Sequence, residues 1–541
     1  MKNICLFSFI LFSAIAYSQK DTPKIIVGIV VDQMCYDYLN RFNVNFSEQG
    51  FKKMIREGAH LTNMHYNYIP TYTGPGHASI YTGTTPDNHG IIANDWIQRE
   101  TRTQVNCVGD ASVSGISSSA LYGKSSPKRL SKKTITDVLK ETYPESKVIS
   151  VSIKDRGAIL PGGHQSDGSY WFDYGNGTFI TSSYYTNKLP CWLRKFNRKN
   201  NAMNRAQIWS PFLEDGAYSS EDDSPYEIIL SGKSKPVFPY DIKNLCEVSG
   251  SLSPFTISPF ANTLLTDLAL EAIKKEKLGK DASPDMLCIS YSSPDIAGHA
   301  FGPDSKEIED MYIRLDLELS RLIHYLEQSF EKSNFLMFLT ADHGVVPVPQ
   351  KLIDEGERGG YILIDQVIND LRSKCVSKFG VDYILGQDNL NIYLDYEKIN
   401  NSTNNKEEIL NFLSSNITYN NGIKHSATGD QLQKLVTNDT LLQMLAKGFD
   451  PKRSGDLLLI LENGYLPKTT LSAKPFKGTS HGSGYAYDTH VPCLWYGSNI
   501  KSTEIEQRLE IIDISSTLSH ILRLKEGAET GKVIQGLIGQ E

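Results

Sequence analysis

The chain has 541 residues, with 55 lysines and arginines against 62 aspartates and glutamates, a formal charge of −7, and a hydrophobic share of 40%. That composition buries a sizeable core and excludes a disordered chain or a disulfide-stapled mini-domain. The acidic balance and the lack of any dense basic block argue against a nucleic-acid partner or a membrane-surface binder, whereas small anionic substrates stay open because a site need not share the net charge.

The first residues read as an export signal: Lys2, an apolar run over residues 4–16, then the small-x-small pattern Ala16-Tyr17-Ser18, with cleavage expected after Ser18. The run falls short of the roughly 20 residues a spanning helix needs, and no lipid-accepting cysteine follows it, so no membrane anchor is expected. The mature chain, residues 19–541, would be periplasmic or secreted and would keep seven of the eight cysteines. Cys288 and Cys493 lie in apolar, strand-like stretches and read as buried thiols. Pairing among Cys35, Cys107, Cys191, Cys246 and Cys375 is left open by the sequence.

Four short runs have the continuous, β-branched character of strands buried on both faces: residues 25–31 (IIVGIVV), 148–153 (VISVSI), 286–291 (MLCISY) and 335–339 (FLMFL). Helical patterns at 132–142, 258–277, 306–331 and 513–524 lie between or after them. Strands alternating with helices predict an α/β fold around a central, mostly parallel sheet. Two stretches depart from this pattern. Residues from about 162 to 253, rich in Tyr, Trp, Asn, Ser, Gly and Pro, read as an inserted cap. A second insertion is expected at about 345–463, with helical patterns over 361–379 and 430–449 and an exposed polar loop at 400–406. No repeat of fixed period is present.

Ionisable side chains follow each strand: Asp32, then Lys154 and Arg156, then Asp295 and His299, then Asp342 and His343. In open α/β sheets the ligand crevice lies beyond the carboxyl ends of the strands, so these seven residues should converge. Any one of them alone has an ordinary explanation as a cap or turn former; four separate placements do not. Three aspartates and at least two histidines supply the oxygen and nitrogen donors zinc accepts, and their spacing suits two neighbouring ions. His481, flanked by small residues in Gly478-Thr-Ser-His-Gly-Ser, is a further candidate ligand. His60, His324 and His520 are assigned to structure or solvent.

The segment Pro70-Thr-Tyr-Thr-Gly-Pro-Gly-His77 places a hydroxyl just before a glycine-rich turn that opens a helix, where backbone N–H groups and the helix dipole favour a phosphate. Thr73 is therefore a candidate nucleophile, although the segment taken alone favours a helix cap. Asn94 is either a donor to a substrate oxygen or a turn residue.

Taken in order, the motifs Val31-Asp32-Gln-Met, Thr71-Tyr-Thr73-Gly-Pro-Gly-His, Gly-Ile-Ile-Ala-Asn94-Asp-Trp, Ser152-Ile-Lys154-Asp-Arg156-Gly-Ala, Pro294-Asp295-Ile-Ala-Gly-His299, Thr340-Ala-Asp342-His343-Gly and Ser480-His481-Gly-Ser are highly specific. On them the chain resembles the alkaline phosphatase superfamily, and within it the bacterial two-zinc branch with an active-site lysine. The resemblance implies an α/β/α sandwich with inserted cap segments, and two Zn2+ ions: one on Asp295, His299 and His481, the other on Asp32, Asp342, His343 and the Thr73 hydroxyl. It implies attack by Thr73 to form a phosphothreonine, with Asn94, Lys154 and Arg156 on the phosphoryl oxygens and the lysine in place of a third cation. The expected activity is hydrolysis of small phosphate monoesters, of broad specificity, releasing inorganic phosphate. A phosphodiesterase or nucleotide pyrophosphatase of the same superfamily is the alternative. Lys154 and Arg156 favour the monoester, because two cations suit a dianionic group better than a diester's single charge.

Overall fold

The computed structural model describes residues 22–118, 122–417, 421–469, 475–525 and 530–539; the export signal expected at residues 1–18 lies outside them. An eleven-stranded sheet forms the centre of the molecule. Its principal elements, in chain order, are β1 (Ile25–Val31), β2 (Ala59–His65), α1 (Thr73–Thr82), β3 (Val148–Ser152), α2 (Asp155–Gly162), β4 (Gly168–Asp173), β5 (Thr178–Ser182), α3 (Pro259–Glu276), β6 (Asp285–Tyr291), α4 (Ser293–Phe301), α5 (Lys306–Ser329), β7 (Phe335–Thr340) and β8 (His490–Gly497).

The four continuous apolar runs become four adjacent strands, in the order β7-β1-β6-β3, all parallel. Every residue of these strands is buried, which is why they show no alternation: both faces are covered. β4 extends the parallel block beside β3. The flanks are antiparallel, with β5 against β4 and the pair β8-β2 beyond β7.

Register decides where the site forms. Val30 pairs with both Ser290 and Thr340, and Ser290 pairs with Ser152. The carboxyl ends of the four central strands are therefore level, and the residues that follow them leave the sheet at one edge.

Between 162 and 253 the chain first adds β4 and β5 to the sheet and then runs through short helices and loops. Within 345–463 it builds a separate antiparallel sheet of four strands, ordered Ile384–Asp388, Asn391–Leu394, Leu457–Leu461 and Ile423–Thr428. The helices Ile364–Phe379 and Lys406–Ile417 share a second apolar core with that sheet. The helical pattern over 361–379 begins as a short strand, Gly360–Leu363, before the helix. The pattern over 430–449 divides into Gly429–Gln433 and Thr440–Lys447, because Thr428 and Asp439 each cap a new start. All seven cysteines of the described chain are free thiols, with Cys288 and Cys493 buried in β6 and β8.

Candidate active site

Helix α1 settles what the Thr73 hydroxyl does locally. Tyr72, not Thr73, occupies the N-cap position and no side chain caps the helix. Thr73 Oγ1 instead lies 3.4 Å from Lys154 Nζ and 3.5 Å from His343 Nε2. Gly76, one turn on, lets α1 approach the strand end closely; a Cβ there would sit 2.4 Å from the backbone oxygen of Asp342.

Lys154 follows β3 and lies at the N-cap of α2. Its Nζ is 2.5 Å from Asp295 Oδ2 and 3.1 Å from Asp32 Oδ2. Burial works against its charge, but Asp295 and Asp32 outweigh burial and hold the ammonium above its ordinary value. Arg156 is also held up, burial being outweighed chiefly by Asp155, and its Nε has no hydrogen-bond partner. The two cations share a cavity of about 400 Å3 with Trp171, Phe172, Tyr174 and Thr256. Asn94 Oδ1 accepts the Gly74 N–H at 2.8 Å, which occupies the amide's acceptor and leaves its NH2 group as a donor.

Two groups of donors stand on either side of this lysine. In the first, Asp295 Oδ1 lies 3.2 Å from His299 Nε2 and 3.5 Å from His481 Nε2. In the second, Asp32 and Asp342 gather with His77, whose ring nitrogens lie 3.6 Å from Asp32 Oδ1 and 3.7 Å from Asp342 Oδ2. His343 Nε2 is 3.3 Å from the same Asp342 oxygen.

The histidines are oriented alike. Nδ1 of His77, His299, His343 and His481 lies 2.8–2.9 Å from a backbone carbonyl, of Thr73, Thr479, Gly344 and Thr71 respectively. That pairing has Nδ1–H donate to the carbonyl and leaves Nε2 as the lone-pair atom, the arrangement typical of metal-binding imidazoles; in His77 that Nε2 lies 3.0 Å from Ser290 Oγ. Burial keeps His343 neutral, pushing it down to about 3, and burial together with His343 holds His481 well below the ordinary imidazole value. His299 is raised, because Asp295 outweighs burial.

The carboxylates are incompletely satisfied. Asp342 Oδ2 is buried without a hydrogen-bond partner, and Asp32 Oδ2 has none beyond its ion pair with Lys154. Burial and the neighbouring Asp32 push Asp342 well above the carboxylate range, whereas Asp295, although buried, is held well below it by His299 and Lys154. Buried carboxylate oxygens with unused acceptor capacity beside imidazole lone pairs fit divalent cations, and the mixed nitrogen and oxygen donors are those zinc accepts.

All the residues singled out from the sequence thus lie around one crevice. Sequence reasoning passed over two more. Gln33, whose φ is +66°, donates its backbone N–H to Asp342 Oδ1 at 3.0 Å and its Nε2 to Asp295 Oδ1 at 2.7 Å, tying the two ligand groups together. His77 stands four residues after Thr73 on α1, a helical spacing that puts both on one face and was the available signal.

A family model for type I phosphodiesterase / nucleotide pyrophosphatase matches residues 26–484. The chain belongs to this family, within the alkaline phosphatase superfamily. It is 36% identical over 526 residues to alkaline phosphatase PafA of Elizabethkingia meningoseptica, covering 96% of this chain and 95% of that one. It is equally 36% identical over 544 residues to a Myroides odoratus protein named calcium-transporting ATPase, covering 99% and 98% of the two chains. The crystal structure of wild-type PafA matches with a TM-score of 0.90 at 35% identity, over 96% of this chain and 99% of that chain. The central, mostly parallel sheet expected from the strand pattern is the one this likeness carries.

Proposed function

We propose that the chain is a zinc-dependent alkaline phosphatase of broad specificity, a phosphoric monoester hydrolase that works through a phosphothreonine at Thr73 and releases inorganic phosphate. The observation that carries the reading is the placing of Lys154 Nζ within 3.4 Å of the Thr73 hydroxyl, with the Arg156 guanidinium in the same cavity. The relatives named alkaline phosphatase support it over nearly the whole chain.

Asp295, His299 and His481 would hold one zinc ion, and Asp32, Asp342, His343 and the Thr73 hydroxyl the other, with His77 as a further donor. Divalent ions there supply the Lewis acidity that makes a threonine alkoxide accessible near neutral pH. Thr73 Oγ1 is the atom that bonds to phosphorus as the bond to the ester oxygen breaks, and water later cleaves the phosphothreonine. Lys154, Arg156 and the Asn94 amide bind the non-bridging oxygens. Two full cations among these groups favour a dianionic monoester, because each free oxygen then meets a charge-assisted donor. Of the segment expected as a cap at about 162–253, residues 168–182 belong to the central sheet instead; we read only the chain after them as cap-like, 345–463 as a second insertion, and the protein as periplasmic or secreted; no helix among the described residues is long and apolar enough to cross a membrane.

The family description favours a second reading, a phosphodiesterase. Measuring kcat/KM for p-nitrophenyl phosphate beside bis-p-nitrophenyl phosphate, with the mature protein in excess zinc at about pH 8, separates the two. A strong monoester preference is expected; a diester preference would overturn the substrate class.

A further inference from the structure

A second cavity, of about 740 Å3, opens beside the strand Asp95–Gln98 that follows Asn94. Its walls are residues 96–100, 109–112 and 128–129 and, from the second insertion, 452–453. Five cations line it, Arg99, Lys128, Arg129, Lys452 and Arg453, against the carboxylates of Glu100 and Asp110. This local excess of positive charge sits in a chain whose formal charge is −7. A cleft lined mainly by one sign of charge concentrates the opposite ions.

Among the described residues, only Arg99 meets a carboxylate at hydrogen-bond distance: it reaches Asp456 Oδ2 at 2.8 Å and the Ser454 carbonyl at 2.6 Å. Lys128 Nζ stops 3.7 Å from Asp110 Oδ1, an oxygen that already accepts the Ser112 hydroxyl at 2.6 Å, while Oδ2 accepts that of Ser126. The side chains of Arg129 and Lys452 form no hydrogen bond or ion pair among the described residues. Arg453 donates to carbonyls alone, those of Gly90 and, at 2.7 Å, Arg129. Its guanidinium lies 5.5 Å from the ring centre of Trp96, itself 4% exposed. Burial disfavours the charge of Arg453; Asp450 opposes that effect and Arg129 adds to it.

Lys128, Arg129 and Lys452 thus keep donors free on two separate segments that face one cavity. Arginine forks and lysine ammonium groups bind phosphoryl oxygens through charge-assisted hydrogen bonds. The volume is that of a site for a whole small molecule, and one phosphoryl group, at about two charges, leaves cations unmet. We propose that this cavity binds a small anion carrying two or more phosphoryl groups, apart from the catalytic crevice. Its place gives it a consequence. The Arg453 guanidinium on its wall also holds the Gly90 carbonyl, four residues before Asn94, and Trp96 stands two residues after Asn94. An occupant therefore braces the chain on both sides of that amide.

The test uses the full mature chain at fixed free Zn2+ and ionic strength, with methylenediphosphonate as probe and Trp96 as reporter. The expected result is a saturable change in tryptophan emission that is lost in Trp96→Phe and weakens as salt is raised. Arg129→Glu/Lys452→Glu should raise the Kd of that change by at least about 10-fold, with an unchanged circular dichroism spectrum. Orthophosphate and citrate, titrated alongside, should each bind at least about 10-fold more weakly. Equal binding of orthophosphate would overturn the need for two phosphoryl groups, and equal binding of citrate the phosphoryl class. No change in wild-type emission would overturn the site itself. So would a change that persists in full in Trp96→Phe, which belongs to another place such as the crevice, or a Kd that the double variant leaves unmoved. The two variants are independent, so one that fails to fold leaves the other to decide.

Discussion

Lys154 Nζ and Thr73 Oγ1, 81 positions apart in sequence, stand 3.4 Å from each other beneath the ends of β3 and β1. The same ammonium reaches Asp295 and Asp32, so one side chain neutralises the carboxylates and faces the candidate nucleophile. Replacing Lys154 and Arg156 together with Ala should lower monoester kcat/KM by at least about 100-fold while changing diester turnover far less. Bound metal should be measured on the same samples. Equal losses on both esters at full metal occupancy would show that the pair does not read the second phosphoryl charge.

Thr73 makes no cap bond, so removing its hydroxyl takes nothing from helix α1 beyond its packing. Thr73→Ala should abolish a trapped phosphoenzyme and reduce kcat/KM by about three orders of magnitude or more, with an unchanged circular dichroism spectrum. Thr73→Ser should still form one, and peptide mapping should put the label on residue 73. A phosphoryl group found elsewhere would move the nucleophile.

The crevice was legible because its parts obey separate local rules. Asp32 and Asp342 lie just past buried parallel strands and Asp295 in the first turn of the helix that follows a third, and parallel register brings such positions level without further information. Thr73 needed the structure: its spacing suited a cap as well as a nucleophile, and the position of Tyr72 at the cap removes the first of these. Gln33 gave no signal, since its role rests on a left-handed backbone and on carboxylates 262 and 309 residues away. The strand that opens the helical pattern at 361–379 and the division of the one at 430–449 were not legible either. Apolar periodicity averages over a few residues, and in 430–449 the caps at Thr428 and Asp439 outweigh it locally.

Acid sensitivity should trace in part to His89, which lies outside the crevice. Its ring is buried between Ser79 Oγ, 2.9 Å from Nε2, and the Ile91 N–H, which Nδ1 accepts at 3.1 Å. Burial, assisted by Arg453, lowers it from 6.5 to about 3. The folded state thus takes up this proton later than the unfolded chain. Its contribution to stability is full above pH 6.5 and declines as pH falls toward 3, by about 2 kcal/mol at pH 5. His89→Asn keeps an acceptor near the Ile91 N–H without titrating. The variant should therefore lose less stability than wild type between pH 7 and pH 5 in urea unfolding, whatever its offset at pH 7. Parallel losses would mean the ring is not the titrating group.

Gly76 separates metal placement from the chemistry of the ligands themselves. A Cβ there would meet the Asp342 backbone oxygen at 2.4 Å and its Cβ at 2.8 Å. Neither belongs to a flexible tip, so α1 and the β7 end must part. That movement displaces Asp342 and His343 relative to Thr73, His77 and Asp32, while Asp295, His299 and His481 sit on α4 and the 478–483 loop. Gly76→Ala should accordingly release one metal ion per chain and keep the other, with activity falling by about 10–100-fold or more, the range seen when groups supporting a metal ligand are disturbed. Elemental analysis after gel filtration reads the stoichiometry directly. Retention of both ions with full activity would mean the strand end yields without moving its carboxylate, and loss of both would mean that the two clusters, joined through Gln33, bind their ions as one unit.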